Sequence, residues 1–317
     1  MKKEKKPTCA RVGGQAVIEG IMMKCGSRAC TAVRLADGSI KTKTQEFVSI
    51  TKKHKILSLP ILRGFIIFIE TLIFSMSTLT FSAEAQGIEE EPSKFEKWLE
   101  KRFGKSVMAI AAGIGSVLGI LLALALFFYL PMTLSRLVDL YLFPLSHFGK
   151  SVVEGVLKIC IFLLYIYLVS FMPDIRRTYE YHGAEHKTIY CHEKGLELTV
   201  ENIRAQSRFH GRCGTSLMFV MMIVGILVSL CLPESLWHGV MFLRFVVKLL
   251  ILPITVGLGY EITIYSGTHD NFVMRCLTAP GKWIQRLTTK EPDDSEIECA
   301  IVAVKGALGE EYDESGK

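Results

Sequence analysis

The residues from Val107 to Leu130 form a run of 24 without a single charge. At 1.5 Å of rise per residue, a helix of that length crosses a hydrocarbon core of about 30 Å. A helix on the surface of a soluble protein keeps a polar stripe at a period of 3.6, and this run has none. Three more segments share its character. Thr215 to Leu232 is an uncharged run of 18, Val152 to Met172 carries only Glu154 and Lys158, and His238 to Ile262 is interrupted by Arg244, Lys248 and Glu261. Half of the 317 residues are hydrophobic, more than a soluble surface of this size accommodates. The sequence therefore predicts a mainly α, polytopic helical membrane protein with four transmembrane helices, paired as hairpins over 107–172 and 215–262. A soluble enzyme is excluded.

The formal charge of +6 is spread along the chain and not gathered into an aromatic-laced basic patch, so the expected partner is the lipid bilayer and not nucleic acid. Its distribution reads as an orientation signal. Lys and Arg number 13 in Met1 to Lys55, seven in Pro173 to Arg212 and six after Ile262, against two and none in the remaining connections. The positive-inside rule then places both termini and the central loop on the cytoplasmic side of the cell membrane. The nine cysteines include no CxxC pair, which points to free thiols over a disulfide framework. No cleavable signal peptide is expected, because the basic start is followed by polar, Gly-rich sequence.

Residues 1–55 read as a small β-rich cytoplasmic unit. Thr31 to Leu35 and Ser39 to Phe47 are β-prone and separated by Ala36-Asp37-Gly38, a hairpin turn, and upstream lies the Gly-rich stretch Gly13 to Met23. Residues 56–82 are apolar but contain Pro60, Arg63, Gly64 and Glu70. A fifth full span would put either the basic N-terminus or the His-rich central loop outside, so this segment is expected to be re-entrant or interfacial. Residues 83–106 combine an acidic linker, Glu89-Glu90-Glu91-Pro92, with an amphipathic helix around Lys94 to Phe103. In the first span, Ala111, Gly115, Gly119 and Ala123 recur every four residues and read as a helix-packing face. The tail, 263–317, is soluble, with a helical pattern over Ser295 to Leu308.

The most informative local feature lies in the cytoplasmic loop domain, 173–214: His182-Gly183-Ala184-Glu185-His186, an HxxEH pattern. If the stretch from Asp174 to Lys194 is helical, His182 and His186 stand one turn apart on one face, where two imidazoles can share a metal. Glu185 beside them is the candidate catalytic acid–base. A third ligand is offered by His210 or Cys213, both acceptable to zinc. Glu261, His269 and Asp270 return to the same side and are further candidates; Glu19 and Gln15 of the Gly-rich stretch either reach the site or shape a turn. His192 is expected at the surface. His54 lies in Lys52-Lys53-His54-Lys55, a basic cluster suited to anionic lipid.

Charges inside apolar segments are the second pointer. Arg63 and Glu70 are seven apart, and Arg244 and Lys248 four apart, with Lys248 roughly 16 Å along its span. Such residues face protein or water, either for function or in ion pairs with Glu70, Glu154 or Asp139.

Several blocks in order carry a family resemblance: Gly13 to Gly20, Leu62-Arg63-Gly64, Tyr181 to Lys187, His210 to Ser216, Gly259-Tyr260-Glu261 and Glu291-Pro292. From about Cys9 to Leu308 the chain resembles the YqhQ-like family of bacterial membrane proteins, a domain of unknown function. Gly211 stands where that family commonly has proline. The resemblance implies a polytopic membrane protein loosely labelled as a metal-dependent enzyme. The residues themselves lead to two expectations. One is a zinc-dependent hydrolase at the cytoplasmic membrane face, acting on peptide or lipid-linked substrates. The other is a non-catalytic transport component or regulator, with a structural metal shell such as His182, His186, His210 and Cys213, or with none.

Overall fold

A computed structural model describes residues 12–87, 105–211, 213–237, 239–266 and 271–310. The amphipathic helix expected around Lys94 to Phe103, the acidic linker, His238, His269 and Asp270 lie outside them. The chain is mainly helical and divides into two compact units: residues 1–87, 166–221 and 256–317 in one, 88–165 and 222–255 in the other.

The first unit is built on a four-stranded antiparallel sheet, β1 (Val12–Val17), β2 (Gly20–Cys25), β3 (Arg28–Arg34) and β4 (Ile40–Glu46), in sequence order. The Asp37-Gly38 turn connects β3 and β4, where Ser39 N–H donates to the Asp37 carboxylate at 2.9 Å. The alternation of strand residues decides what covers each face. Ile21, Met23, Cys30 and Ala32 point to one side and pack with Tyr181, Ala184, Ile297 and Val304. Those partners come from α5 (Pro173–Glu193) and α10 (Asp294–Leu308). Val17 and Val33 point to the other side, onto Phe81 of α1 (Leu62–Ala85).

Of the segment expected to be re-entrant or interfacial, the part from Leu62 onward belongs to one unbroken 24-residue helix, without reversal. Pro60 precedes it and cannot break it. Arg63 makes a bidentate pair with Glu261 (2.7 and 2.6 Å), and one carboxylate oxygen of Glu70 accepts the Ile50 N–H at 2.8 Å. From Glu70 onward α1 lies along the sheet. Ser75 Oγ donates to Gln15 Oε1 at 2.6 Å, the Phe74 and Phe47 rings are 5.1 Å apart, and Gln86 Nε2 donates to the Arg34 carbonyl. Its outward face stays apolar, with Leu72, Ile73 and Met76 exposed.

The remaining described helices are α2 (Lys105–Leu124), continued through a π-helical turn (Ala125–Tyr129) into α3 (Leu130–Tyr141), then α4 (His147–Val169), α6 (Val200–Arg204), α7 (Gly214–Cys231), α8 (Met241–Ser266) and α9 (Phe272–Thr288). Leu62–Ala85, Ile114–Tyr141, His147–Val169 and Met241–Ser266 are each long and apolar enough to cross a membrane; α7 is a shorter apolar helix. In the second unit Glu154 of α4, 3% exposed, accepts from Arg244 at 2.8 Å and from Lys248, both on α8. This is the ion pairing between apolar segments that the sequence allowed for, with Glu154 as the partner. Gly115 and Gly119, expected in a packing face, meet no neighbour at their Cβ positions. Six described cysteines are free thiols, whereas Cys25 is disulfide-bonded, against the expectation for it.

Candidate metal centre

Helix α5 begins with Pro173 at its first turn, where a missing N–H costs nothing, and Asp174 follows in the same turn beside the positive helix end. Residues 182, 186 and 190 then stand one above another on a single stripe. Arg208, Phe209 and Cys213 lie against that stripe. His186 Nδ1 meets the Arg208 carbonyl at 2.6 Å, Tyr190 Oη donates to the Phe209 carbonyl at 2.9 Å, and His182 Nε2 lies 3.1 Å from Cys213 Sγ. His182 Nδ1 is held at 2.8 Å by the Thr288 carbonyl at the end of α9.

Both Nδ1 atoms face carbonyl oxygens, which can only accept, so each ring carries its proton there and leaves Nε2 as a lone-pair donor. A carbonyl behind each imidazole is the arrangement that fixes the tautomer of metal-ligating histidines. His182, His186 and Cys213 each offer one ligand atom, and all three atoms lie within 4.8 Å of one another. Tetrahedral zinc with N and S ligands needs donor separations of roughly 3.3–3.6 Å, a few tenths of an ångström from the 3.1 Å of His182 and Cys213. The His186 Nε2 atom is buried and has no hydrogen-bond partner. A buried lone pair with no donor is costly, and a cation satisfies it.

Glu185 stands between this stripe and the sheet, 5% exposed. Burial pushes its carboxyl up to about 7, with His182 opposing the shift. Gly14 makes room for it, since a Cβ there would stand 2.9 Å from Glu185 Cγ. Gly183 has a comparable role on the opposite flank: its missing Cβ admits the Lys290 carbonyl, and Lys290 N–H donates to the Tyr179 carbonyl at 2.8 Å. The helix-weakening glycine inside the motif therefore serves close approach of the 288–292 segment.

The other sequence candidates are placed differently. His210 is buried beside the cluster, its ring 5.7 Å from that of His186, but its Nε2 faces Glu193 at 3.3 Å and it is outside the convergent group. Burial, then His186 and Lys282, hold its pKa down at about 4. Glu261 is engaged by Arg63. Glu19, in the β1–β2 turn at φ 48°, accepts from Arg177 at 3.1 Å and from Tyr181 Oη at 3.2 Å, which makes it a turn anchor. Gln15 bonds Ser75 on the far face of the sheet. His192, expected exposed, is 8% exposed, because α5 is covered along most of its length.

Gln285 of α9 escaped the sequence reading. Fully buried, it accepts from the His210 N–H at 2.8 Å and donates to the His210 carbonyl at 2.7 Å, pinning the loop that delivers Cys213. Arg177 escaped it as well, pairing with Glu19, Asp293 and Glu296 and so tying the β1–β2 turn, α5 and α10 together.

Residues 59–310 match a family model described as "Protein of unknown function (DUF1385)". The chain is 35% identical over 308 residues to "Uncharacterized protein YqhQ" of Bacillus subtilis (strain 168), covering 95% of this chain and 92% of that protein. No solved structure matches it.

Proposed function

Since the chain belongs to the DUF1385 family, described without an activity, its function must be read from its own residues, and we propose a zinc-dependent hydrolase working at the cytoplasmic face of the membrane. The observation carrying this reading is the convergence of one ligand atom each from His182, His186 and Cys213, with both Nδ1 atoms facing carbonyls. Two histidines and one cysteine are a ligand set of catalytic zinc, which keeps its fourth position for water or substrate. Zinc held there would supply Lewis-acid polarisation of a scissile carbonyl or phosphoryl group. Glu185 is the residue to take a proton from an attacking water and return it to the leaving group. Its burial beside His182 keeps that carboxyl out of bulk solvent. His210 positions the cluster from outside, so the closed four-ligand shell of a purely structural site receives less support. A site carried on α5 and on the loop that leads into the apolar helix α7 suits peptide or lipid-linked substrates presented at the bilayer.

The test is metal content of the detergent-purified chain, followed by complementation of a deletion strain. The expected result is about one zinc per chain, lost in His182→Ala plus His186→Ala. Glu185→Gln is expected to keep the zinc and lose function. Stoichiometric zinc surviving in the double variant rules the arrangement out, and full function of Glu185→Gln removes catalysis from the reading.

A further inference from the structure

A second site lies at the other end of α1 from the sheet. The segment before α1 folds into two short 3-10 turns, Ile50–Lys52 and Ile56–Ser58. Together with the first turns of α1 and the last turns of α8 it borders an open pocket of about 520 Å³, lined by Lys52, Lys53, Lys55, Arg63, Tyr260 and Ile264 among others. The charge in it is unbalanced. Arg63 is neutralised by Glu261, which also takes the Ile61 N–H. None of Lys52, Lys53 and Lys55 makes an ion pair among the described residues, so about three positive charges face the cavity without a counter-ion.

The depth of this cavity follows from α8. Its 26 residues span roughly 39 Å, longer than a hydrocarbon core of about 30 Å. Counted from Met241, Tyr260 and Ile264 stand roughly 28 and 34 Å along it, at the far boundary of such a core, where tyrosine concentrates. The approach of α1 is fixed at the same level: Gly64 and Gly257 carry no Cβ, and added ones would run into Tyr260 of α8 and into Ile61 just before α1 respectively. The surrounding loop has the composition of a surface that dips into lipid. Ile56 and Leu59, which follow directly on the lysine cluster, are 73% and 55% exposed. A water-facing loop has no reason to hold out isoleucine and leucine at that level, whereas a loop at the bilayer surface buries them and sets its ammonium groups among phosphates.

We infer that Lys52, Lys53 and Lys55, with the Arg63–Glu261 pair as floor, bind the phosphate-bearing headgroup of an anionic membrane lipid. The site is separate from the metal cluster and does not depend on it. It also accounts for α1: a helix layered on a lysine-bearing sheet cannot cross the membrane along that length, but with its exposed Leu72, Ile73 and Met76 it can lie in the interface.

The test uses the full chain in detergent, with lipid binding counted by native mass spectrometry. The probes are dioleoyl phosphatidic acid, dioleoyl phosphatidylcholine and inorganic phosphate alone. Phosphatidic acid is expected to bind on the order of 100-fold more tightly than phosphatidylcholine, three lysines each contributing a surface-charge increment. Lys52→Gln with Lys53→Gln and Lys55→Gln is expected to abolish that preference. Lys41→Gln with Lys43→Gln, on the β4 surface away from the cavity, is expected to retain it, with both variants melting as the parent does. Equal binding of the two lipids overturns the inference, as does an undiminished preference in the triple variant. Competition by millimolar inorganic phosphate as effective as that by lipid assigns the site to free phosphate and overturns the lipid identity.

Discussion

Gly183→Ala tests how the fold holds the candidate centre. In α5 the Gly183 Cα faces the Lys290 carbonyl so closely that an added methyl overlaps the oxygen, with Pro292 Cδ another 3.4 Å away. The 288–292 strap must retreat by about an ångström to restore contact distance, a strain of typically 1–3 kcal/mol. Replacing a helical glycine by alanine returns roughly 0.8–1 kcal/mol of propensity, so the net loss of stability is small, about 0–2 kcal/mol. Metal affinity is the sharper readout. The Thr288 carbonyl, two residues from the collision, holds His182 Nδ1 at 2.8 Å. Moved back by that ångström it passes beyond about 3.2 Å and the hydrogen bond is lost. Loss of such an outer contact lowers metal affinity by about 10–100-fold. Zinc affinity is measured by competition with a chromophoric chelator in detergent. Parental affinity in Gly183→Ala, with unchanged melting, would refute the argument that the strap orients His182.

Two further outcomes follow from buried charges. Glu154→Gln strips the counter-charge from Arg244 and Lys248 while keeping its shape, and should destabilise the chain by about 3–5 kcal/mol, read as a fall in melting temperature; an unchanged melting point would mean the two cations are solvated. Glu296 is fully buried, and burial pushes its carboxyl up to about 8 from 4.5, although Arg177 Nη1 at 2.9 Å pulls the other way. A raised acid favours the folded state while protonated, so its contribution is complete below about 4.5 and is lost as pH rises through about 8. Glu296→Gln, still able to accept from the Asp293 N–H, should flatten that decline in melting scans between pH 5 and 9 (roughly the window the two values bracket); an unchanged slope would show that Arg177 keeps the carboxylate ionised.

Much of this architecture was legible because hydrophobic length and period are local. The helix carrying His182 and His186, the β3–β4 hairpin and the C-terminal helix follow from spacing, caps and turn residues. The status of residues 56–82 was not legible, since composition cannot show that Arg63 and Glu70 find partners in Glu261 and the Ile50 N–H. In the site, Cys213 could be nominated from its ligand chemistry, but His210 equally so. What separates them is loop geometry: Gln285 clamps the His210 backbone and turns its ring toward Glu193. Carbonyls such as Thr288 and Arg208 carry no residue-type signal at all. Gln15 and Glu19 looked like site residues because a Gly-rich stretch suggests close approach; the close approach is made by Gly14 to Glu185, and the two polar side chains point elsewhere.

The central claim concerns three atoms on α5 and the loop before α7. X-ray absorption at the zinc edge of the purified, zinc-loaded chain reads their identity directly. The account predicts two imidazole nitrogens at about 2.0–2.1 Å, one sulfur at about 2.3 Å and one light-atom ligand, with the sulfur gone in Cys213→Ser. A shell of oxygens alone, or a sulfur that persists in Cys213→Ser, would contradict it.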